Sequence, residues 1–198
     1  MIIKTFVNPP LENNNYVIID KQSSEAILID CSAPSPDALA FIKENNAKLK
    51  YILITHGHFD HIIGINYFKK ECNIPVYLHK NDKGLVLSIC DYIPNTKIPQ
   101  IDNYFDDNAT FNIGNQIIKV IPTPGHTSGS VSFLLNDILF SGDTMFYHGY
   151  GRTDLPTGNT TELFKSLDKI LSLPPETRVF SGHGKETTIN EELKFYRG

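Results

Sequence analysis

Four side chains that can bind a metal ion lie within six residues of one another, directly after the apolar run YILI. They stand in the segment THGHFDHIIG and are His56, His58, Asp60 and His61. Zn²⁺ accepts imidazole and carboxylate ligands together, as do Fe and Mn, and a metal ion with an open coordination position can activate water. A His-rich surface loop would have the same composition, so the remaining histidines must distinguish the two interpretations.

Three further polar residues follow apolar runs at later points in the chain. His126 lies in PTPGHTSGS, Asp143 in FSGDTMF and His183 in SGHGKETT, and a glycine precedes each of them. A glycine allows close approach of the backbone and leaves room for an ion. These three residues are therefore candidate partners of the first cluster. His79, at the end of PVYLH, is interpreted as a surface histidine at a strand end. For His148 two interpretations stay open: it borders a substrate cleft, or it has no part in the site.

Short apolar runs alternate with helical patterns in the first half of the chain. Strands are predicted at IIKTF, NYVIID, EAILID, YILIT and PVYLH, and helices over residues 36–46, 60–70 and 80–88. Residues 90–107 have no clear period and are predicted to wrap the surface.

The second half resembles an antiparallel meander followed by one more helix and strand. Its predicted strands are NATFNIG, NQIIKVIPT, SVSFLLN and DILFSGD, with turns at Gly114 and at Asn136-Asp137. An amphipathic helix is predicted over residues 161–171, then the strand RVFSGHG and a short closing helix.

The strand ends of the two halves carry similar residues. AILID ends at Asp30 and YILIT leads to His56, while DILFSGD ends at Asp143 and RVFSGHG reaches His183. In each half a helix separates the two strands, so these polar ends can converge at one edge of two packed sheets. The pattern predicts an α+β fold, a four-layer αββα sandwich in which two mixed β-sheets are flanked by helices.

The composition is that of an ordinary globular protein. The 198 residues fit one domain spanning residues 1–198, and no apolar run approaches the roughly 20 residues that cross a membrane. The N-terminal residues lack a secretion signal, so a cytoplasmic location is expected. Three widely spaced cysteines predict no disulfide framework. A net charge of −4 argues against a nucleic-acid partner and favours a small-molecule substrate, and the oligomeric state is left open.

The segments HGHFDH, GHTSGS, SGDT and SGHG together resemble the metallo-β-lactamase superfamily, over nearly the whole chain. The resemblance implies one metal ion held by His56, His58 and His126 and a second held by Asp60, His61 and His183. Asp143 would bridge the two ions. Asp60 is also expected to be catalytic, so that its replacement by alanine abolishes turnover. True β-lactamases often depart from this ligand set, so antibiotic hydrolysis is not favoured.

A dinuclear site of this kind predicts hydrolysis. Two divalent ions, with zinc preferred and Fe or Mn as alternatives, would hold a bridging hydroxide that attacks a substrate carbonyl. A thiolate leaves readily because the pKa of a thiol is about 8.5, so thioesters suit a site without an evident general acid.

Two segments beyond the ligands resemble glyoxalase II-like proteins and the related persulfide dioxygenases, namely GYGRTDLPTGN and GHGKETTINEE. The likeness is to short, single-domain members and implies a thioesterase that acts on S-lactoylglutathione or a related acylthiol. Candidate substrate contacts are Arg152, Tyr147, Tyr150 and Lys185, although Arg152 could instead pair with Asp154. Asp30 and Thr55 are candidates for orienting the ligating imidazoles.

Two alternatives to the thioesterase come from different functional classes. The first is a mononuclear iron persulfide dioxygenase, for which the resemblance implies iron held by His56, His126 and Asp143. The second is a metal-binding protein without catalytic activity.

Overall fold

The computed structural model describes residues 1–197, and the first half of the chain forms a six-stranded mixed sheet with helices. Its strands are β1 (Ile2–Asn8), β2 (Asn13–Asp20), β3 (Glu25–Ile29), β4 (Lys48–Leu53), β5 (Val76–His79) and β6 (Asn103–Phe105). Its helices are α1 (Pro36–Glu44), α2 (Phe59–Ile62), α3 (Ile65–Cys72), α4 (Lys83–Leu87) and α5 (Ile89–Tyr92), with a 3₁₀ turn at Lys80–Asp82. Strands β1 to β3 pair antiparallel, and β3 to β6 pair parallel.

The second half forms another six-stranded mixed sheet, in the order β14-β13-β10-β9-β8-β7. Its strands are β7 (Thr110–Ile113), β8 (Gln116–Pro122), β9 (Val131–Leu135), β10 (Ile138–Gly142), β13 (Arg178–Ser181) and β14 (Thr187–Thr188). A small hairpin joins β11 (Met145–Phe146) to β12 (Gly149–Tyr150), and the helices are α6 (Thr160–Leu171) and α7 (Ile189–Arg197). Strands β7 to β10 form the predicted antiparallel meander, whereas β10 and β13 are parallel.

Successive side chains of the first sheet point to its two opposite faces, and each face packs against a different layer. In β2, Tyr16 and Ile18 pack against Phe133, Phe140 and other side chains of the second sheet. Val17 and Ile19 belong instead to the cluster that includes helices α1 to α5. Helices α6 and α7 cover the outer face of the second sheet. The order helix, sheet, sheet, helix confirms the predicted αββα sandwich. Full burial of each large apolar side chain contributes roughly 1.5–3 kcal/mol.

The longest helix begins where the sequence places a capping residue. The Asn159 side chain accepts a hydrogen bond from the Glu162 amide at 3.1 Å, which fixes the start of α6 one residue before the predicted position. None of the helices within residues 1–197 is long and apolar enough to cross a membrane.

Three predictions about the first half need correction. The helix predicted over residues 60–70 is interrupted before α3, where the Gly64 amide donates to the Cys31 carbonyl at 2.8 Å and Gly64 packs on the Ala33 carbonyl. Residues 90–107 include α5 and the edge strand β6. His79 is buried rather than a surface residue, and its Nε2 lies 3.0 Å from an Asp107 carboxylate oxygen.

Candidate metal centre

Strand ends from both sheets bring the predicted ligands to one edge of the sandwich. In the first sheet, parallel strands β3 and β4 lead into Asp30 and His56, and α1 connects them. In the second sheet, parallel strands β10 and β13 lead into Asp143 and His183, and α6 lies between them in sequence. The carboxyl ends of parallel strands lie at the same edge, so each pair is held side by side. The loop between β8 and β9 adds His126.

The first group of donors consists of His56, His58 and His126, all buried. The Nδ1 atom of His58 lies 2.8 Å from Nε2 of His126, and Nε2 of His56 has no hydrogen-bond partner. One ligand atom from each residue lies within 4.8 Å of the other two. The three imidazoles therefore converge on one point.

A second group consists of Asp60, His61 and His183. The Asp60 Oδ2 atom lies 3.5 Å from Nε2 of His183 and 3.8 Å from Nε2 of His61. Asp143 lies between the two groups. Its Oδ1 is 3.4 Å from Nε2 of His61, and its Oδ2 is 3.5 Å from Nε2 of both His126 and His183. The Asp143 carboxylate thus faces both groups.

Several observations show that these residues fit metal ions. Nε2 of His56 and Oδ1 of Asp143 are buried without hydrogen-bond partners, and such an atom costs about 1–3 kcal/mol unless something binds it. Gly182 packs directly on the site, where a side chain would overlap the Asp143 carboxylate and the His61 ring. Mixed imidazole and carboxylate donors suit zinc, iron or manganese.

The far nitrogen atoms of four imidazoles contact oxygen atoms that fix the ring orientations. Nδ1 of His61 lies 2.8 Å from Oδ2 of Asp30, and Nδ1 of His56 lies 3.1 Å from Oγ1 of Thr55, which itself donates to Asp30. The remaining two contacts are to backbone carbonyls, from His126 to Arg152 at 2.7 Å and from His183 to Leu11 at 3.1 Å. Partners of this kind keep the opposite nitrogen directed at a metal ion.

Protonation differs between the two groups of imidazoles. Burial lowers the pKa of His56 well below its usual range, and burial with the neighbouring His126 lowers the pKa of His58 to about 4. Burial opposes a charge on His183, but hydrogen bonds to Asp143 and Asp60 raise its pKa to about 9. His56 and His58 are therefore neutral near pH 7, whereas His183 holds a proton that a metal ion must displace.

The two carboxylates stay ionised despite their burial. Burial works against the charge on Asp60, but His61 and other neighbours hold its pKa at about 2. The pKa of Asp143 likewise lies well below its usual range, because His61 and His183 outweigh the effect of burial. Burial also opposes a charge on His61, but the surrounding carboxylates raise its pKa well above the usual range.

A cavity of about 500 Å³ opens onto both groups of donors. Five of the predicted metal ligands line it, together with Arg152, Tyr92, Gly151 and the apolar side chains Leu11, Phe59, Phe146 and Leu155. Arg152 is the predicted substrate contact that the structure brings to this cavity. Its guanidinium is exposed and forms two hydrogen bonds with the Asp154 carboxylate, at 2.7 and 2.6 Å.

The other predicted substrate contacts do not line the cavity. The Lys185 ammonium lies 3.6 Å above the Tyr147 ring, and Tyr150 packs against Phe164. His148 stacks between Tyr147 and Phe195, and its backbone amide donates to Glu192. These side chains interact with one another and with α6 and α7, which draws them away from the metal ligands.

Two residues at the centre were missed by the sequence analysis. Asn13 is fully buried and contacts three ligands of the second group. Asp82 accepts hydrogen bonds from the backbone beside His56 and beside His126. One signal pointed to Asn13: it begins a run of three asparagines within a strand, where asparagine is disfavoured. No comparable signal marks Asp82.

Comparison with known families and proteins gives one family. The family model described as "Metallo-beta-lactamase superfamily" matches residues 9–183. A "Probable metallo-hydrolase YqgX" from Bacillus subtilis is 35% identical over 92% of this chain and 90% of its own length. A "Hydroxyacylglutathione hydrolase" from Pelagibacter ubique is 33% identical over 87% of this chain and 66% of its own length.

Solved structures agree with the family match along the whole chain. A structure described as the BLEG-1 B3 metallo-beta-lactamase superposes with a TM-score of 0.89 at 32% identity and covers 100% of both chains. TTHA1623 in a di-iron-bound form gives 0.85 at 31% identity, covering 98% of each chain. ETHE1 from Myxococcus xanthus gives 0.83 at 28% identity, covering 100% of this chain and 84% of its own.

Proposed function

Because the chain belongs to the metallo-beta-lactamase superfamily, we propose that it is a metal-dependent hydrolase that cleaves thioesters, with S-lactoylglutathione or a related acylthiol as substrate. The observation that carries the proposal is the convergence of seven imidazole and carboxylate side chains, six buried and His183 half-buried, beneath one mainly apolar cavity. The hydrolase named among the relatives adds support for an acylthiol substrate.

The ligand assignment follows the grouping of the donor atoms. His56, His58 and His126 would hold one ion, and the second would lie among the remaining ligands, Asp60, His61 and His183, with Asp143 shared. Zinc is the proposed metal, with iron and manganese as alternatives that the same donors accept. When bound, such ions lower the pKa of a coordinated water toward about 7 and polarise a substrate carbonyl.

The protein side chains position the substrate and limit access of water. Leu11, Phe146 and Leu155 provide apolar walls that can bury the acyl chain and the methylene groups beside the sulfur. Arg152 provides a cation at the wall, where it can exchange Asp154 for a carboxylate on the substrate. The walls therefore suit a small acylthiol with an acidic end.

The polar groups of the cavity favour a leaving group that departs without protonation. Outside the metal ligands, Tyr92 and Arg152 are the polar side chains among the described lining residues, and neither is a carboxylic acid or an imidazole. Since the pKa of a thiol is about 8.5, a thiolate is stable enough to leave as an anion, whereas an amine or an alkoxide is not. This difference supports a thioester over an amide.

A thiol-release assay tests the proposal. Purified protein loaded with zinc, iron or manganese is expected to release free thiol from S-lactoylglutathione, and Asp60→Ala is expected to lose that activity while keeping its circular dichroism spectrum. Asp91→Ala, a change at an exposed aspartate, is the matched control. A panel of thioesters without thiol release from any metal form would exclude a thioesterase. A chromogenic β-lactam in the same panel tests lactam hydrolysis.

One observation supports a second candidate function. The pairing of His126 with Asp143 at 3.5 Å, beside His56, offers two imidazoles and one carboxylate, the set that mononuclear iron oxygenases use. A persulfide dioxygenase would contain one iron per chain and take up oxygen with glutathione persulfide. Two zinc ions without oxygen uptake would exclude it. A protein that binds metal but shows neither activity would support the non-catalytic alternative.

A further inference from the structure

Asn13 lies at the centre of the second group of metal ligands. Its side-chain amide nitrogen, Nδ2, is 3.0 Å from Nε2 of His61, 3.1 Å from Oδ2 of Asp60 and 3.3 Å from Nε2 of His183. The residue is fully buried. One amide group thus faces three atoms that are themselves metal donors.

The hydrogen-bonding groups around Asn13 are poorly suited to an NH₂ group that points toward them. The Nδ1 atoms of His61 and His183 lie against Asp30 and the Leu11 carbonyl, so both rings turn Nε2 toward Asn13. If both Nε2 atoms are unprotonated, three acceptors compete for two amide protons. If either is protonated, two N–H groups face each other. An inward-facing amide oxygen together with a metal ion removes both mismatches.

The separations of the four atoms resemble those of donors around a single ion. The regular tetrahedron expected for bonds of about 2.0–2.1 Å has edges of about 3.3–3.4 Å. Nδ2 of Asn13 lies 3.0 to 3.3 Å from each of the three ligand atoms. Among those three atoms, Oδ2 of Asp60 lies 3.5 Å from Nε2 of His183 and 3.8 Å from Nε2 of His61. The amide therefore occupies a fourth corner above the triangle formed by Asp60, His61 and His183.

The backbone around Asn13 fixes it at this corner. Asn13 forms a β-bridge with His183, and the next residue, Asn14, donates from its backbone to Gly182 at 2.8 Å and from its side chain to Ser181 at 3.0 Å. The amide oxygen, Oδ1, makes no hydrogen bond. A half-turn of the amide exchanges oxygen and nitrogen, which have nearly the same size; it gives up the hydrogen bond from Nδ2 to Asp60 and breaks none at Oδ1.

We propose that Asn13 is a ligand of the second metal site and donates its amide oxygen alongside Asp60, His61 and His183. This inference rests on the metal centre of the proposed function, but it does not depend on the substrate. It makes the second site richer in oxygen donors than the first, which has three imidazoles. Oxygen donors favour harder ions, so the second site should accept manganese or iron more readily than the first does.

Metal titration tests the proposal without measuring turnover. Zn²⁺ and Co²⁺ are titrated into metal-free wild type, Asn13→Ala and Asn13→Asp in competition with a chromophoric chelator. Asn13→Ala is expected to weaken binding of the second equivalent by about 10–100-fold and to leave the first unchanged. It should also change the visible absorption of the second Co²⁺. Asn15→Ala, at a buried asparagine that contacts Ser32, is the matched control and should bind both equivalents as wild type does.

A competing explanation, in which the amide nitrogen fills the metal position, predicts a different result for Asn13→Ala. If the amide nitrogen occupies the place of a metal ion, Asn13→Ala binds the second equivalent as tightly as wild type or more tightly, and the proposal is overturned. Asn13→Asp provides a second measurement if the alanine variant does not fold: an oxygen ligand at this position predicts equal or tighter binding of the second equivalent, and weaker binding overturns the proposal. Because hydrolysis is assayed separately, failure of the thioesterase proposal leaves these outcomes distinct.

Discussion

Asp82 joins the two loops that carry the proposed ligands of the first metal site, although it is not itself one of those ligands. Its Oδ2 accepts hydrogen bonds from the Gly57 amide at 2.8 Å and the Thr127 hydroxyl at 2.7 Å, and its Oδ1 accepts one from the Gly129 amide at 2.7 Å. Burial raises its pKa, and these three hydrogen bonds counteract the increase. Asp82 is therefore a positioning residue for the imidazoles on either side.

Replacement of Asp82 is expected to weaken the first metal site. Asp82→Asn keeps the shape of the side chain but leaves at least one of the three donors without its acceptor, so affinity for the first equivalent of zinc should fall by about tenfold or more. Chelator competition measures the change, and Asp91→Asn, at an exposed position, is the control. An unchanged first equivalent in a folded Asp82→Asn protein would show that the loops do not need this brace.

The raised pKa of His183 predicts that the second metal site is the more acid-sensitive. A basic group with a pKa of about 9 keeps its proton until the pH exceeds that value, and only the unprotonated imidazole binds metal. His58, with a pKa of about 4, gives little competition above pH 5. As the pH falls from 9 to 6, the second equivalent should be released first. Metal content after dialysis at each pH measures this order, and release of both equivalents together would contradict it.

The chemistry of individual residues was readable from the sequence only where the residue type is itself diagnostic. His56, Asp60 and His126 belong to short motifs whose side chains have few other reasons to occur at that spacing. Asn13 and Asp82 belong to common residue types, and their roles depend on contacts between residues 25 to 47 or more positions apart in the sequence. Such contacts exist only after the sheets have packed.

At the scale of elements, the turn after β13 places backbone where a side chain would not fit. A Cβ atom at Gly182 would overlap the Asp143 carboxylate and approach the His61 ring closely. In the same turn, the Gly182 amide donates a hydrogen bond to the Gly142 carbonyl at 2.8 Å. The closeness of β10 and β13 at this end thus depends on the missing side chain.

We expect Gly182→Ala to destabilise the protein by about 1–3 kcal/mol, as overpacking of a full interior does, and to weaken the second metal site. Urea unfolding of the metal-free protein measures the first effect, and metal titration measures the second. Gly84→Ala is the control, because the added methyl group meets open space within α4 and alanine favours a helix. Equal stability of Gly182→Ala and wild type would contradict the expected overlap.

Elements with a strong internal pattern were predicted correctly, and those defined by their neighbours were not. Helix α6 has a capping residue and an apolar face, and the meander β7 to β10 has turns at Gly114 and Asn136, both with positive φ. The edge strand β6 has three residues with little burial and is a strand because it pairs with β5. The break before α3 likewise coincides with tertiary contacts of Gly64, which packs on Ala33 and donates to the Cys31 carbonyl.

At the scale of the whole molecule, the candidate metal centre crosses the boundary between the two sheets. His56, His58, Asp60 and His61 follow a strand of the first sheet, and the other three ligands follow strands of the second. Tyr16 of the first sheet also donates to the Ser181 carbonyl of the second at 2.5 Å. Bound metal would therefore oppose separation of the sheets as well as local loosening of the loops.

Removal of metal is expected to lower the melting temperature. An ion present at about 100 times its Kd stabilises the folded state by about 2.7 kcal/mol, provided that it does not bind the unfolded chain. For a chain of about 200 residues this corresponds to a shift of roughly 5–11 °C. Thermal melts with and without a chelator measure the shift, and Asp143→Ala, which lacks the shared carboxylate, should respond less. An unchanged melting temperature after complete removal of metal would contradict the expectation.

Because His126 contacts the backbone of Arg152, the side chain at position 152 can change during evolution without loss of the contact that orients His126. The atom that holds His126 is the backbone carbonyl of Arg152, whereas its side chain lies at the cavity wall. Leu11 has the same arrangement, with its carbonyl on His183 and its side chain in the wall. Because every amino acid has a backbone carbonyl, mutations at these two positions can diversify the compounds that enter while descendants inherit an intact metal centre.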